Sequence, residues 1–201
     1  MKTGDALTQE ALALRARYDE EPSHSDHVTA LALQIFDGLR AWHGLASRSR
    51  ELLCCASLLH DIGWSQIPDG KGHHKWSARL IHAHPWKHLS PAEVVVVAQI
   101  ARYHRKSPPQ SDHADFHALK PSAQKHVMVL GGILRIADAL DRTHTTRIAR
   151  VKASVKAEAI VVRVETAGLW DAERTMFATK SDMLQEAGRR RVLVEAKRVS
   201  G

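Results

Sequence analysis

Cysteine is nearly absent. The 201-residue chain holds two, the adjacent Cys54 and Cys55 inside a helical pattern. Neighbours on a helix face different ways, so a disulfide framework is excluded. Aromatic residues are scarce, at 5%, and few interleave with basic residues, so a stacking groove for single strands has no support. No nucleic-acid recognition motif appears either. Long apolar runs are missing: the richest, Val94 to Val97, is bracketed by Glu93 and Gln99, far short of a membrane span. The opening residues Met1-Lys2-Thr3-Gly4-Asp5 lack the apolar core of a signal peptide, which points to the cytoplasm. There is no Gly-rich phosphate loop, internal repeat or low-complexity tract.

What is there has the make-up of a soluble globular protein, with 44% hydrophobic and 25% charged residues. The length fits one domain, or one domain with a small appendage, and suffices for a real core. The net charge is +7, which favours anionic partners such as phosphates, nucleotides or polyphosphate. The cations are dispersed, with one dense run at Arg189-Arg190-Arg191. Fourteen histidines are the more informative excess, because several fall on or beside apolar helical patterns.

Helical spacing is read at 6–18 (Leu7, Ala11, Leu14) and again from Ser23 (Val28, Leu31, Ala32, Ile35, Phe36). His24 and His27 sit in the first turn of that second helix; His24 is the favoured ligand of the two, and a core or capping role for either stands beside that reading on spacing alone. The central stretch, 50–62, turns Leu52, Leu53, Ala56, Leu59 and His60 inward, with Gly63 as its expected C-terminal stop. A turn-rich loop, Ile67-Pro68-Asp69-Gly70-Lys71-Gly72, precedes His73-His74 and a short helix. Ser90-Pro91-Ala92-Glu93 predicts a capping box that opens a helix running to Tyr103-His104-Arg105-Lys106. Residues 107–119 read as irregular. The last long helix begins after Pro121; Gly131-Gly132 within it costs about 1 kcal/mol per glycine unless close packing offsets it. After about 150 the period changes to alternation. Val151/Ala153/Val155 and Ile160/Val162/Val164 read as a hairpin, 172–187 as one helix ended by Gly188, and 191–196 as a third strand. The expected fold is mainly α, with a helical domain over 1–147 and a small ββαβ subdomain over 148–201.

Leu58-Leu59-His60-Asp61-Ile62-Gly63 organises the chain. Burying an imidazole beside a carboxylate costs several kcal/mol unless both are satisfied, and a divalent cation satisfies both. A capped His and a solvated Asp are the plain alternative. Asp138, on a largely apolar segment, also needs a partner: Arg135 and Arg142 on its own helix, or the same cation. His24, His60, Asp61 and Asp138 supply two imidazoles and two carboxylates for one ion. His73 or His74, with His104, supply a second site that Asp61 would bridge. Mixed nitrogen and oxygen donors suit one or two ions of Mn, Fe, Co, Ni, Zn or Mg. Arg102, Arg105, Lys106 and Arg142 are candidates for substrate phosphates, against a plain reading of Arg102, Arg105 and Lys106 as cations favoured at a helix C-terminus.

The segments His24-Ser25-Asp26-His27-Val28, Leu58 to Gly63 and Arg135-Ile136-Ala137-Asp138 resemble the HD superfamily of metal-dependent phosphohydrolases. Ala101 to Lys106, Leu134 to Arg142 and Leu169-Trp170-Asp171-Ala172-Glu173 resemble more specifically the C-terminal HD-type domain of the exopolyphosphatase and guanosine pentaphosphate phosphohydrolase family. The resemblance implies a helical HD domain and His24 rather than His27 as first ligand. It aligns His73 with the extra histidine of two-metal members, with a one-residue slip to His74 left open. Full-length members of that family carry an actin-like module ahead of this domain; the present residues have no room for one, so exopolyphosphatase activity is not carried over. All four core ligand positions are intact, which implies that metal chemistry is retained. Asp61, His104, Arg105 and Lys106 are then the candidate catalytic groups. Two functions remain in play: a phosphohydrolase acting on a nucleotide or other phosphate ester or anhydride, and a non-catalytic module that binds polyphosphate or an alarmone. The expected partner is a phosphate-containing small molecule or polyphosphate, with no membrane, and with a homodimer left open.

Overall fold

Apolar stripes at helical spacing build the body of the molecule. The structure is a computed structural model that describes residues 3–67 and 69–198; Met1, Lys2 and Pro68 of the stretches above lie outside the described residues. Helix α1 (Thr3–Arg15) turns Leu7, Ala11 and Leu14 inward. Helix α2 (Pro22–Gly38) buries Val28, Leu31, Ala32, Ile35 and Phe36. Each Val, Leu, Ile or Phe among them, fully buried, contributes about 1.5–3 kcal/mol relative to exposure. A single turn, α3 (Arg40–His43), leads into α4 (Ser47–Leu58). Helices α5 (His73–Ala83) and α6 (Pro91–Arg102) pack against each other, and α7 (Ala114–His117) is one turn inside the stretch expected to be irregular. Helix α8 (Pro121–Ala139) runs through the centre, packed against α2, α4 and α6.

The capping box forms as expected: Ser90 Oγ accepts from the Glu93 N–H, and the Glu93 carboxylate accepts from the Ser90 N–H at 2.8 Å. Arg48 on α4 donates to the same carboxylate at 2.6 Å, tying the two helices together.

The C-terminal part is a small three-stranded sheet in the order β1-β2-β3, on an otherwise helical chain. Strands β1 (Ile148–Val155) and β2 (Ala159–Thr166) form the antiparallel hairpin, with Ala153 opposite Val162. Strand β3 (Arg191–Arg198) then returns parallel to β2. The crossover consists of α9 (Asp171–Lys180) and α10 (Asp182–Gly188), broken at Ser181, where a single helix was expected. Arg189, not Gly188, takes the left-handed conformation that ends it, with φ 48°. The sheet lies against α2, where Gln34 Oε1 accepts from the Val151 N–H at 2.9 Å. Helix α10 lies against α8 where Gly131 and Gly132 remove side chains; a Cβ on Gly132 would stand 2.9 Å from the Leu184 nitrogen. That contact is the close packing that offsets the cost of the two glycines.

Candidate metal centre

The helix expected to run through His60 stops earlier. Helix α4 ends at Leu58, His60 and Asp61 occupy the following turn, and Ile62–Gln66 continue as a 3₁₀ turn. Gly63 therefore does not stop a helix. It lets the 3₁₀ turn press on the start of α5: its N–H donates to Ser77 Oγ at 2.9 Å, and a Cβ there would stand 2.1 Å from the His73 carbonyl oxygen. This contact fixes His73 beside Asp61. His24 comes from the first turn of α2, His104 from the turn after α6, and Asp138 from the last turn of α8.

Four imidazoles converge on one carboxylate. His24 Nε2 and His60 Nε2 lie 3.8 and 3.6 Å from Asp61 Oδ2, and 3.5 and 3.8 Å from Asp138 Oδ1. His73 Nε2 and His104 Nε2 each lie 3.3 Å from Asp61 Oδ1 and 3.2 Å from each other. The two oxygens of Asp61 thus face two separate groups, His24/His60/Asp138 and His73/His104. His24, His60, His73 and His104 are all at least 97% buried.

The far side of each ring is already committed. Nδ1 of His60, His73 and His104 meets the carbonyl oxygens of Ser57, Gly70 and Ala101 at 2.7, 2.9 and 2.6 Å. A carbonyl only accepts, so each of these Nδ1 atoms carries the hydrogen and each Nε2 of a neutral ring presents a lone pair. His24 Nδ1 donates to Asp141 Oδ2 at 2.8 Å. His24 Nε2, His60 Nε2 and Asp61 Oδ1 are buried without a hydrogen-bond partner. Lone pairs this close repel unless a cation lies between them. Donors about 2.0–2.2 Å from a shared ion stand roughly 3.0–3.5 Å apart, which is the spacing of the His73/His104/Asp61 triangle. The residues of that triangle therefore fit a divalent cation, and the wider His24/His60/Asp138 group could hold another, with ring orientations held from behind as metal-binding histidines require.

Charge on these groups follows their surroundings. Burial pushes His104 down to about 4, against the opposing contact with Asp61. Burial works to raise Asp61, but His60, His104 and His73 hold it well below the usual carboxylate range. Asp138 is lowered against burial, chiefly by its contact with His24. Burial would lower His24, yet Asp138 and Asp141 raise it to about 10.

The remaining expected residues divide. His73, not its neighbour His74, shares the Asp61 group; His74 faces an adjacent cleft and is pushed down to about 3 by burial and by His104 and His73. His27 joins neither group. Arg105, Lys106 and Arg142 line the cleft of about 320 Å³ that opens over Asp61 and Asp138. Arg102 does not: it lines the adjacent cleft with Lys75 and Arg79, 3.8 Å from Asp115. Arg135 forms its ion pair with Asp182, at 2.9 Å, rather than with Asp138, and donates to the Tyr103 carbonyl.

Four residues at the site were not singled out from the sequence. Asp141 orients His24. His144 stacks on His24 with ring centroids 3.8 Å apart. Trp64, 45% exposed, stacks on His73 at 4.4 Å. Lys180 donates to the His104 carbonyl at 3.0 Å and is lowered to about 8, mainly by burial. The Asp138-x-x-Asp141 spacing, one helical turn apart, was the signal available for Asp141. Lys180 carried no local signal because the crossover helix brings it in from outside the helical body.

Among the described residues, no helix is long and apolar enough to cross a membrane. A family model described as Ppx/GppA phosphatase, domain III, matches residues 8–187. A search of curated proteins returns no match.

Proposed function

The chain belongs to the Ppx/GppA phosphatase domain III family, and from that premise we propose that it is a metal-dependent phosphohydrolase of the HD type. It acts on a nucleotide or another phosphate ester or anhydride. The observation that carries this reading is the convergence of four buried Nε2 atoms on the two oxygens of Asp61, with their Nδ1 atoms engaged elsewhere. His24, His60, Asp138 and Asp61 would hold one divalent cation, and His73, His104 and Asp61 would hold a second. When bound, such ions polarise a phosphoryl oxygen and activate water at neutral pH.

The chain's own groups do the rest. Arg105, Lys106, Arg142 and Lys180 draw in the substrate phosphate and offset charge that builds on its oxygens. Asp141 and the Ser57, Gly70 and Ala101 carbonyls keep the rings aimed, so little reorganisation is needed when substrate arrives. The described residues from 148 to 198 act as a subdomain that completes the cleft wall through Met176, Thr179 and Lys180.

The test is phosphate release from a panel of nucleotides by protein supplied with Mn²⁺, Zn²⁺ or Mg²⁺. Turnover is expected with the native chain and none with His60→Ala combined with Asp61→Ala; equal turnover by the folded variant refutes the assignment. A second reading, a non-catalytic module for polyphosphate or an alarmone, is favoured by one observation. The adjacent cleft gathers Lys71, Lys75, Arg79 and Arg102 away from the His/Asp groups. Metal-independent polyphosphate binding that weakens with salt, without turnover, is the outcome that selects it.

A further inference from the structure

The His/Asp groups lie where two clefts of opposite charge meet, and Asp61, Trp64 and His144 line both. On one side is the cleft with Arg105, Lys106, Arg142 and Lys180. On the other is a cleft of about 700 Å³ that carries Asp19, Glu20 and Glu21 and, among the described residues, no Lys or Arg. His24, which also lines this second cleft, is 3% exposed and keeps its Nε2 unpartnered. The acidic side is therefore continuous with the centre rather than a separate solvated patch.

This polarity discriminates between substrates by what leaves the phosphorus. A compound with anionic groups on both sides of the scissile bond must place one of them against Glu20, beside Asp19 and a Glu21 whose Oε2 lies 2.8 Å from His144 Nδ1, where like charges repel. A neutral group rich in hydroxyls or amino hydrogens instead donates to those carboxylates, which only accept. The exposed edge of Trp64 and the half-buried Tyr18 supply apolar surface for a planar ring on the same wall.

We propose that the centre takes a phosphomonoester laid across the two clefts, its phosphate on the basic side and its alcohol, an uncharged, hydroxyl-rich group bearing a planar ring, on the acidic side. This rests on the phosphohydrolase reading and names the substrate class of that site. In the reaction, water forms the new O–P bond while the ester O–P bond breaks. The electron pair stays on the leaving oxygen, which takes up a proton from the water. The products are the free alcohol and inorganic phosphate, with no change of oxidation state. Nucleoside monophosphates have this shape; inorganic pyrophosphate does not.

Adenosine 5′-monophosphate and pyrophosphate are compared at physiological salt by kcat/KM with metal present and by calorimetric binding with and without metal. The monophosphate is expected to be preferred at least about tenfold in each. Glu20 is exposed and lies outside any helix, so Glu20→Lys folds and is expected to narrow the preference by about tenfold, with Glu20→Gln between. Preference for pyrophosphate, or a ratio unmoved by Glu20→Lys, overturns the proposal. If pyrophosphate is hydrolysed and the monophosphate is not, the phosphohydrolase reading survives and this inference falls. If neither these two nor any member of the nucleotide panel is turned over, the phosphohydrolase reading falls, and the binding ratio with its Glu20→Lys response alone decides the polarity.

Discussion

Replacing Gly63 by alanine is the sharpest structural perturbation of the centre that leaves every candidate ligand in place. The added Cβ would stand 2.1 Å from the His73 carbonyl oxygen, 2.5 Å from the Ser77 nitrogen and 2.9 Å from Ser77 Oγ. Two of these are backbone atoms, which cannot rotate away, so the start of α5 must withdraw by about 1 Å. Overpacking of this kind costs about 1–3 kcal/mol. For a domain of this size that lowers Tm by roughly 2–12 °C. The consequence for the site is specific. His73 rides on the first turn of α5, with its Nε2 3.2 Å from His104 and 3.3 Å from Asp61. Withdrawal opens that triangle while leaving His24, His60 and Asp138 on α2, the turn after α4, and α8. Calorimetric titration with Mn²⁺ or Zn²⁺, alongside thermal melts, should show one class of site weakened by about 10–100-fold and the other retained. Native Tm and native titration in Gly63→Ala would show that the glycine contact does not set the ligand spacing.

Three further outcomes follow from other contacts. Asp141→Asn removes the carboxylate that accepts from His24 Nδ1 and should weaken metal binding by about 10–100-fold without loss of fold, as measured by equilibrium dialysis and circular dichroism. Gly132→Ala drives a Cβ to 2.9 Å from the Leu184 nitrogen and should destabilise by about 1–3 kcal/mol in urea unfolding. Glu93 is lowered from 4.5 to about 2, chiefly by Arg48 with burial opposing. Its contribution to stability is therefore present above about pH 4.5 and lost as pH falls toward 2. Glu93→Gln should cost about 1–2 kcal/mol at neutral pH after allowance for solvent screening. The gap from the native chain should close on acidification; a gap constant with pH contradicts the ion-pair origin.

Much of the helical body was legible because buried stripes such as Val28/Leu31/Ile35 and capped starts such as Ser90-Pro91-Ala92-Glu93 are local patterns. The switch to alternation after residue 150 announced the sheet for the same reason. The expected ligands were legible as residue types, since a histidine or aspartate on an apolar pattern needs a partner wherever it lies. What sequence could not place depends on tertiary contact. The end of α4 at Leu58, rather than at Gly63, follows from the 3₁₀ turn pressing on α5. Which of His73 and His74 faces Asp61 depends on one residue of helical phase. Arg102 lines only the adjacent cleft, which it shares with Arg105 and Lys106, whereas those two, beyond the helix end, also reach the cleft over Asp61. His144 enters through ring stacking and Lys180 through the long-range crossover, neither of which leaves a periodic trace. The parallel return of β3 beside β2 is likewise set by the broken α9–α10 crossover.

Metal analysis of chain purified without an affinity tag, after equilibration with Mn²⁺ or Zn²⁺ and gel filtration, is the most direct test of the His/Asp centre. The account predicts that the folded native chain retains at least one divalent ion and that the His60→Ala, Asp61→Ala variant retains none. A folded native chain that emerges free of metal, with no affinity for these ions in titration, would contradict it.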